Sequence, residues 1–272
     1  MRPNKLKEKW RKDEPTFGVW LSACSAFLTE HVAAVGFDWL LVDGEHSAVD
    51  LQTMVQMFQA ISTAESVPLA RVSSNDPVQI KRVLDSGAYG VVIPMVNSQE
   101  EAALAVSACR YPPEGQRGFG PWRATLYGGR DYVRHANREI ACIIQIETVR
   151  AVEEIHEILS VPGIDAVMIG PTDLAMDMGL PPRADHPDPD HIALCNRVLE
   201  ACQEHSVVPG IFTGGAEEGA RRAAEGWRFL PVGSDIQFTL QGAIGALRRV
   251  KKVAKKGDSA TGKVGDGDRL EG

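Results

Sequence analysis

The chain has 272 residues, 44% of them hydrophobic and 24% charged, with a net charge of −7. That is ordinary globular composition for one large domain or two small ones that need no disulfide staples, and its acidic balance argues against nucleic acid as the main partner. No apolar run approaches the ~18 residues that span a bilayer, the start MRPNKLKEKWRKDEP lacks the apolar segment of a secretory signal, and the five cysteines form no C-x-x-C pair, so reduced thiols in the cytoplasm are expected.

After a charged extension over residues 1–15, apolar runs alternate with amphipathic segments. FGVWLS (17–22) reads as a strand and SAFLTEHVAAVG as the helix behind it. WLLVDGE (39–45) is followed by DLQTMVQMFQAI, and VPLARV (67–72) by NDPVQIKRVLDSG, whose polar residue before Pro77 is a helix start. GVVIPMV (90–96) precedes the capped helix SQEEAALAVSACR. A long connection, YPPEGQRGFGPWRATLYGGRDYVRHAN, interrupts the rhythm, which resumes with ACIIQIE (141–147) and VRAVEEIHEILS. AVMIGPTD (166–173) leads through a Pro-rich loop to HIALCNRVLEACQEH, VVPGIFT (207–213) to AEEGARRAAEG, and FLPVGSD (229–235) to IQFTLQGAIGALRRVKKVAKK.

The strands are continuously apolar, as strands covered on both faces are. Eight strand–helix units in strict alternation over residues 16–256 predict an α/β chain folded as a (β/α)8 TIM barrel. A doubly wound open sheet is the other candidate, but the Gly-rich first turn it uses is missing. The tail 257–272 is expected to be disordered.

In such a barrel, chemistry sits at the C-terminal ends of the strands. Those ends carry Trp20; Asp43, Glu45 and His46; Arg71; Gln145 and Glu147; Asp173; Thr213; and Ser234 with Asp235. Each has a bland reading. Asp173 and Glu147 fit helix first turns, Arg71 fits a buried ion pair with Asp43, and His46 fits a loop histidine. Together they favour a site, because chance would have to gather two acids, an Arg and an Asp-x-Glu-His cluster at one mouth.

Between Lys12 and Lys251 the only lysine is Lys81, on a predicted helix, so no amine is placed for a Schiff base. There is no G-x-S-x-G elbow and no P-loop. Two carboxylates without His or Cys ligands make a hard-oxygen site suited to Mg2+ or Mn2+.

FGVWLS, GFDWLLVDGEH, NDPVQIKRVLDSGAYGVVIPMV, RYPPEGQRGFG, QIET and IGPTDLAMDMG, in that order and spacing, resemble the HpcH/HpaI aldolase family of class II, metal-dependent pyruvate aldolases. The resemblance runs from Phe17 to the last helix. It implies a hexamer in which the last helix, IQFTLQGAIGALRRV, is exchanged between neighbouring subunits. It also implies a divalent cation (Mg2+, Mn2+ or Co2+) on Glu147 and Asp173, chelated by the keto and carboxylate oxygens of pyruvate. Backbone N–H groups at Gly170, Thr172 and Asp173 are expected to receive the substrate carboxylate.

With that resemblance, Arg71 is expected to supply donors to the enolate oxygen, and His46, backed by Asp43, to act as acid/base. Gln145 is placed to touch substrate or a metal-bound water, and Glu45 to hold waters behind. Trp20 and Phe212 are expected against substrate. Arg123, in the lid region, is a candidate for the aldehyde, and the resemblance puts Asp85 of a neighbouring subunit near it. GIFTGGAEEG, with Phe212 and paired glycines, departs from the family pattern on the aldehyde side.

The expected reaction is reversible aldol cleavage of a 4-hydroxy-2-oxo acid to pyruvate, or hydroxypyruvate, and an aldehyde. The alternative is an oxaloacetate decarboxylase or a citrate lyase β-like CoA-ester lyase on the same metal site, the latter needing a basic groove. A non-catalytic barrel is the third reading, opposed by the intact Glu147, Asp173, Arg71 and His46.

Overall fold

The structure, a computed structural model, describes residues 1–261, with side chains through Val253. It divides into a unit Met1–Asp235 and a second unit from Ile236 onward. In chain order the first contains α1 (Lys5–Trp10), β1 (Thr16–Leu21), α2 (Ala26–Ala33), β2 (Trp39–Asp43), α3 (Leu51–Ile61), β3 (Val67–Arg71), α4 (Pro77–Asp85), β4 (Gly90–Ile93) and α5 (Gln99–Cys109). Then come α6 (Trp122–Gly128), α7 (Tyr132–Glu139), β5 (Ala141–Ile146), α8 (Val149–Glu153), α9 (Ile155–Leu159), β6 (Ala166–Ile169), α10 (Pro171–Asp177), α11 (Pro189–Glu204), α12 (Ala216–Ala224) and β7 (Phe229–Ser234). The second unit is carried by α13 (Asp235–Thr261). Of the tail expected to be disordered, residues 257–261 belong to α13, and 262–272 lie outside the described residues.

Among the described residues the seven strands pair in the order β6–β5–β4–β3–β2–β1–β7, all parallel. β2 to β6 are buried along their whole length, as the unbroken apolar runs predicted. The strand expected at 207–213 is reduced to isolated parallel bridges, Ala166↔Val208 and Ile169↔Ile211 on one side and Gly210↔Phe229 on the other. These join β6 to β7 and complete the ring of a (β/α)8 barrel. The ladder is broken because Pro209 has no N–H to donate. Gly210 permits the close approach: a Cβ there would lie 2.6 Å from the Val167 carbonyl oxygen and 2.8 Å from that of Phe229.

Ser and Asp residues expected to open helices do so. Asp76 Oδ1 accepts the Val78 N–H, and Ser98 Oγ the Glu101 N–H. The 111–140 connection is more regular than its composition suggested, since α6 and α7 fold within it. They are anchored by Tyr132 and by Arg117, which is buried over the Tyr111 ring and bonded to Tyr132 and Asp85.

The amino-terminal segment is not a free extension. Leu6 and Trp10, four residues apart on one face of α1, are both buried. Asn4 donates to the carbonyls of Tyr89 and Glu139, Lys7 pairs with Asp165, and Trp10 meets Phe229 edge-on. All these partners lie where strands begin, so α1 covers the N-terminal end of the barrel, opposite the mouth where chemistry is expected.

Candidate active site

The strand ends of the first unit enclose a cavity of about 280 Å3 lined by Trp20, Asp43, His46, Arg71, Gln145, Gly170, Thr172, Asp173 and Phe212, together with Ser22, Met168, Ile169, Pro171 and Ser234. Trp20 at the end of β1 meets Phe212 edge-to-face at 5.4 Å, and the Arg71 guanidinium lies 5.1 Å from the Trp20 ring centre. These contacts form an apolar wall beside a charged one.

β2 and β3 set the charged wall. Asp43 and Arg71 are register partners, so their side chains leave the sheet on the same side. Arg71 donates Nε and Nη2 to the two Asp43 oxygens at 2.9 and 2.8 Å, a bidentate fork, while its Nη1 lies 2.8 Å from Glu45 Oε2. Burial works against an ionised Asp43, but the hydrogen bonds and charge of Arg71 overcome it and hold its carboxyl below the ordinary range. Asp43 also receives the backbone N–H of Glu45 and His46, which fixes the turn.

One expected pairing is corrected. Asp43 does not back the His46 imidazole, because its oxygens are committed to Arg71 and the turn. The ring nitrogen Nε2 stands 3.8 Å from Glu45 Oε2 instead, with His46 69% exposed. Glu45 therefore links His46 to Arg71. Burial, with Asp43 and Asp173 nearby, raises its carboxyl above the ordinary range despite Arg71 and His46.

β5 and β6 supply the second pair of acids. Glu147, just past β5, is 5% exposed. Its Oε1 accepts the Met95 N–H at 2.8 Å, and its Oε2 the Gln145 amide. Met95 adopts φ +55°, a strained conformation for this side chain, and so aims its N–H at the carboxylate. Burial, reinforced by the charges of Asp173 and Glu45, raises the Glu147 carboxyl. Asp173 lies in the first turn of α10 rather than at a strand end, because Pro171 starts the helix immediately after Gly170. Among the described residues neither Glu147 nor Asp173 forms a salt bridge.

Gly170 separates these two acids. A Cβ on it would stand 2.8 Å from Glu147 Oε2 and 3.2 Å from Asp173 Oδ2. Both oxygens thus converge on one small space, while Gln145 Oε1 is buried without a hydrogen-bond partner. Hard oxygens, uncompensated charge and a bounded gap fit a divalent cation. Among the described residues no group of three His, Cys, Asp or Glu is arranged to hold a metal. A cation here would take two carboxylates and complete its shell with water and substrate oxygens. Gly170→Ala fills the gap and is expected to weaken Mn2+ binding about 10–100-fold with the fold retained. Calorimetric titration beside near-UV circular dichroism checks this, and unchanged affinity would place the cation elsewhere.

Two expected residues stand away from the cavity within this chain. Arg123 donates to the Ser86 carbonyl and Ser62 Oγ at the C-terminal ends of α4 and α3, and Asp85 accepts from Arg117. The Gly170 N–H is also taken, by the Ile146 carbonyl at 3.1 Å, which leaves those of Thr172 and Asp173 ahead of the first helical bond, Leu174 N–H to Gly170. Ser22, Met95 and Met168 join the site without having been expected. The first two follow from loop geometry that carries no sequence motif, whereas Met168, on β6 beside Asp173's turn, was readable from its strand.

Residues 16–241 match the family model described as HpcH/HpaI aldolase/citrate lyase. The chain is 40% identical to a 4-hydroxy-2-oxo-heptane-1,7-dioate aldolase of Klebsiella pneumoniae over 243 residues, covering 88% of this chain and 91% of that protein. A crystal structure of an HpcH/HpaI aldolase/citrate lyase family protein from Burkholderia cenocepacia superposes with a TM-score of 0.86 at 35% identity, covering 91% of this chain and 99% of that one. An HpcH/HpaI aldolase from Desulfitobacterium hafniense gives 0.84 at 30%, covering 90% and 96%. Family model, relatives and superposed barrels agree, and the chain belongs to the HpcH/HpaI aldolase/citrate lyase family.

Proposed function

We propose that this chain is a carbon–carbon lyase that reversibly cleaves a 4-hydroxy-2-oxo acid to pyruvate, or hydroxypyruvate, and an aldehyde. Glu147 and Asp173 hold the divalent cation, Mg2+, Mn2+ or Co2+. The observation that carries this reading is the convergence of their two carboxylate oxygens on the gap at Gly170. When bound, the cation supplies Lewis acidity for negative charge developing on the keto oxygen.

The chain's own groups do the rest. Arg71 spends three of its five N–H groups on Asp43 and Glu45, which leaves two to donate to a developing oxyanion. His46, exposed at the mouth with Glu45 behind it, exchanges the proton with the substrate hydroxyl, directly or through water. The N–H groups of Thr172 and Asp173 receive the substrate carboxylate. Gln145 fixes Glu147, and Trp20 and Phe212 form the apolar wall on the aldehyde side. Asp85 and Arg123 act on the aldehyde only if contributed by another copy. The apolar stripe Leu240, Ile244 and Leu247 on α13 supports a hexamer assembled through that helix.

Among the described residues the cavity is lined by one arginine, Arg71, and one histidine, His46, so a CoA nucleotide finds no basic groove there. Thorough chelation should abolish aldol activity, and Mn2+, Mg2+ or Co2+ should restore it when aldehydes are offered with pyruvate and with hydroxypyruvate. Product analysis reads the outcome. Activity that survives chelation, or decarboxylation of oxaloacetate without any aldol product, would refute the proposal.

A further inference from the structure

His191 is 1% exposed, in the first turn of α11 and outside the cavity lining, and the proposed reaction makes no use of it. Its backbone is set by the helix cap: Asp188 Oδ1 accepts the N–H of Asp190 at 2.9 Å and of His191 at 3.2 Å. Its ring Nε2 lies 2.8 Å from the Pro171 carbonyl oxygen. A carbonyl only accepts, so Nε2 carries the hydrogen and donates. Among the described residues the other nitrogen, Nδ1, faces a weak partner alone, Cys195 Sγ at 4.0 Å, and the His186 ring packs alongside at 5.4 Å. The imidazole is clamped in place with one strong bond to give, and it gives it to the turn that carries Asp173.

Among the described residues, and besides the bonds internal to α10, that turn is held at three points. The Gly170 N–H bonds to Ile146, the Leu174 N–H bonds to Gly170, and His191 grips Pro171. The first two are backbone bonds; His191 is the side-chain anchor. The Asp173 carboxylate is exposed and accepts no hydrogen bond from the described residues, so only its backbone aims it. The Pro171 peptide is planar, and the proline ring fixes φ. A hydrogen bond on its carbonyl therefore sets the direction in which the chain leaves toward Asp173.

We infer that His191 is a positioning residue that, by holding the Pro171 carbonyl, keeps the Asp173 carboxylate opposite Glu147 and so sets the affinity of the cation site. The inference rests on the reading of Glu147 and Asp173 as cation ligands.

His191→Phe keeps a ring but removes the donor, while His191→Gln returns an N–H at similar reach. Mn2+ is titrated calorimetrically into chelator-stripped protein, and amide hydrogen exchange across residues 172–177 is followed without metal. The Phe variant should bind Mn2+ about 10–100-fold more weakly, the cost typical of losing an orienting partner, and exchange faster in that turn; the Gln variant should recover most of both. Should the Phe variant not fold, His191→Met carries the same comparison. Wild-type affinity and exchange in the donor-less variant overturn the inference, as does a Gln variant no better than Phe. A wild-type chain that takes up no Mn2+ overturns the cation reading itself, which separates the two failures.

Discussion

Arg71→Lys should lower kcat by about 10²–10³-fold, the typical loss of an oxyanion donor, while Mn2+ affinity stays near that of the wild type. The substitution keeps the charge and removes the geometry. Arg71 answers both Asp43 oxygens and Glu45 at once and still has two N–H groups for substrate. A lysine is a point charge with a flexible stem, and it cannot span both acids and also face the cavity. Buried Asp43 and half-buried Glu45 would be left with one point charge between them, and the guanidinium face over Trp20 would go. Steady-state kinetics beside Mn2+ titration separates the effects. A loss below tenfold in kcat would mean that Arg71 is the structural partner of Asp43 and no more.

Glu147→Gln should have two opposite consequences. With metal supplied, kcat/KM should fall by about 10³-fold or more, because Lewis-acid stabilisation is worth several kcal/mol. Without metal, the variant should melt a few degrees higher than the wild type at neutral pH. Burial and the neighbouring charges of Asp173 and Glu45 raise the Glu147 carboxyl, so the folded chain disfavours its charged form. A carboxyl raised on folding costs nothing below its unfolded value of 4.5, and the penalty grows as pH rises through the higher folded value. The stability of metal-free wild type should therefore decline across that window as pH rises, with Glu45 contributing in the same sense. In the Gln variant the decline should be shallower. Thermal melts of stripped protein at pH 4 to 8 read this directly. A Gln variant that melts lower than wild type at neutral pH would show that Glu147 is stabilised by something other than a missing cation.

Much of the fold was legible because burial on both faces leaves a plain trace: the runs at β2 to β6 are apolar except for the site residues Asp43, Arg71 and Gln145. VVPGIFT carries the same trace yet pairs only by bridges, since apolarity reports burial while Pro209 decides which hydrogen bonds can form. α1 was read as an extension because its charges dominate; the face that packs is carried by Leu6 and Trp10 alone. In the site, the gathering of acids at strand ends was visible. Which partner Asp43 serves stayed open, because it lies at the right spacing for both His46 and Arg71, and register gives it to Arg71. Met95's left-handed backbone, and the direction of Arg123 away from the cavity, depend on loop paths that no local pattern encodes.

The most direct test is a calorimetric Mn2+ titration of chelator-stripped wild type, Glu147→Gln and Asp173→Asn. Wild type should bind one ion per chain, and each substitution alone should weaken binding about 100-fold or more, as loss of either of two ligands requires. Wild-type affinity in either variant would contradict a cation shared between these two carboxylates.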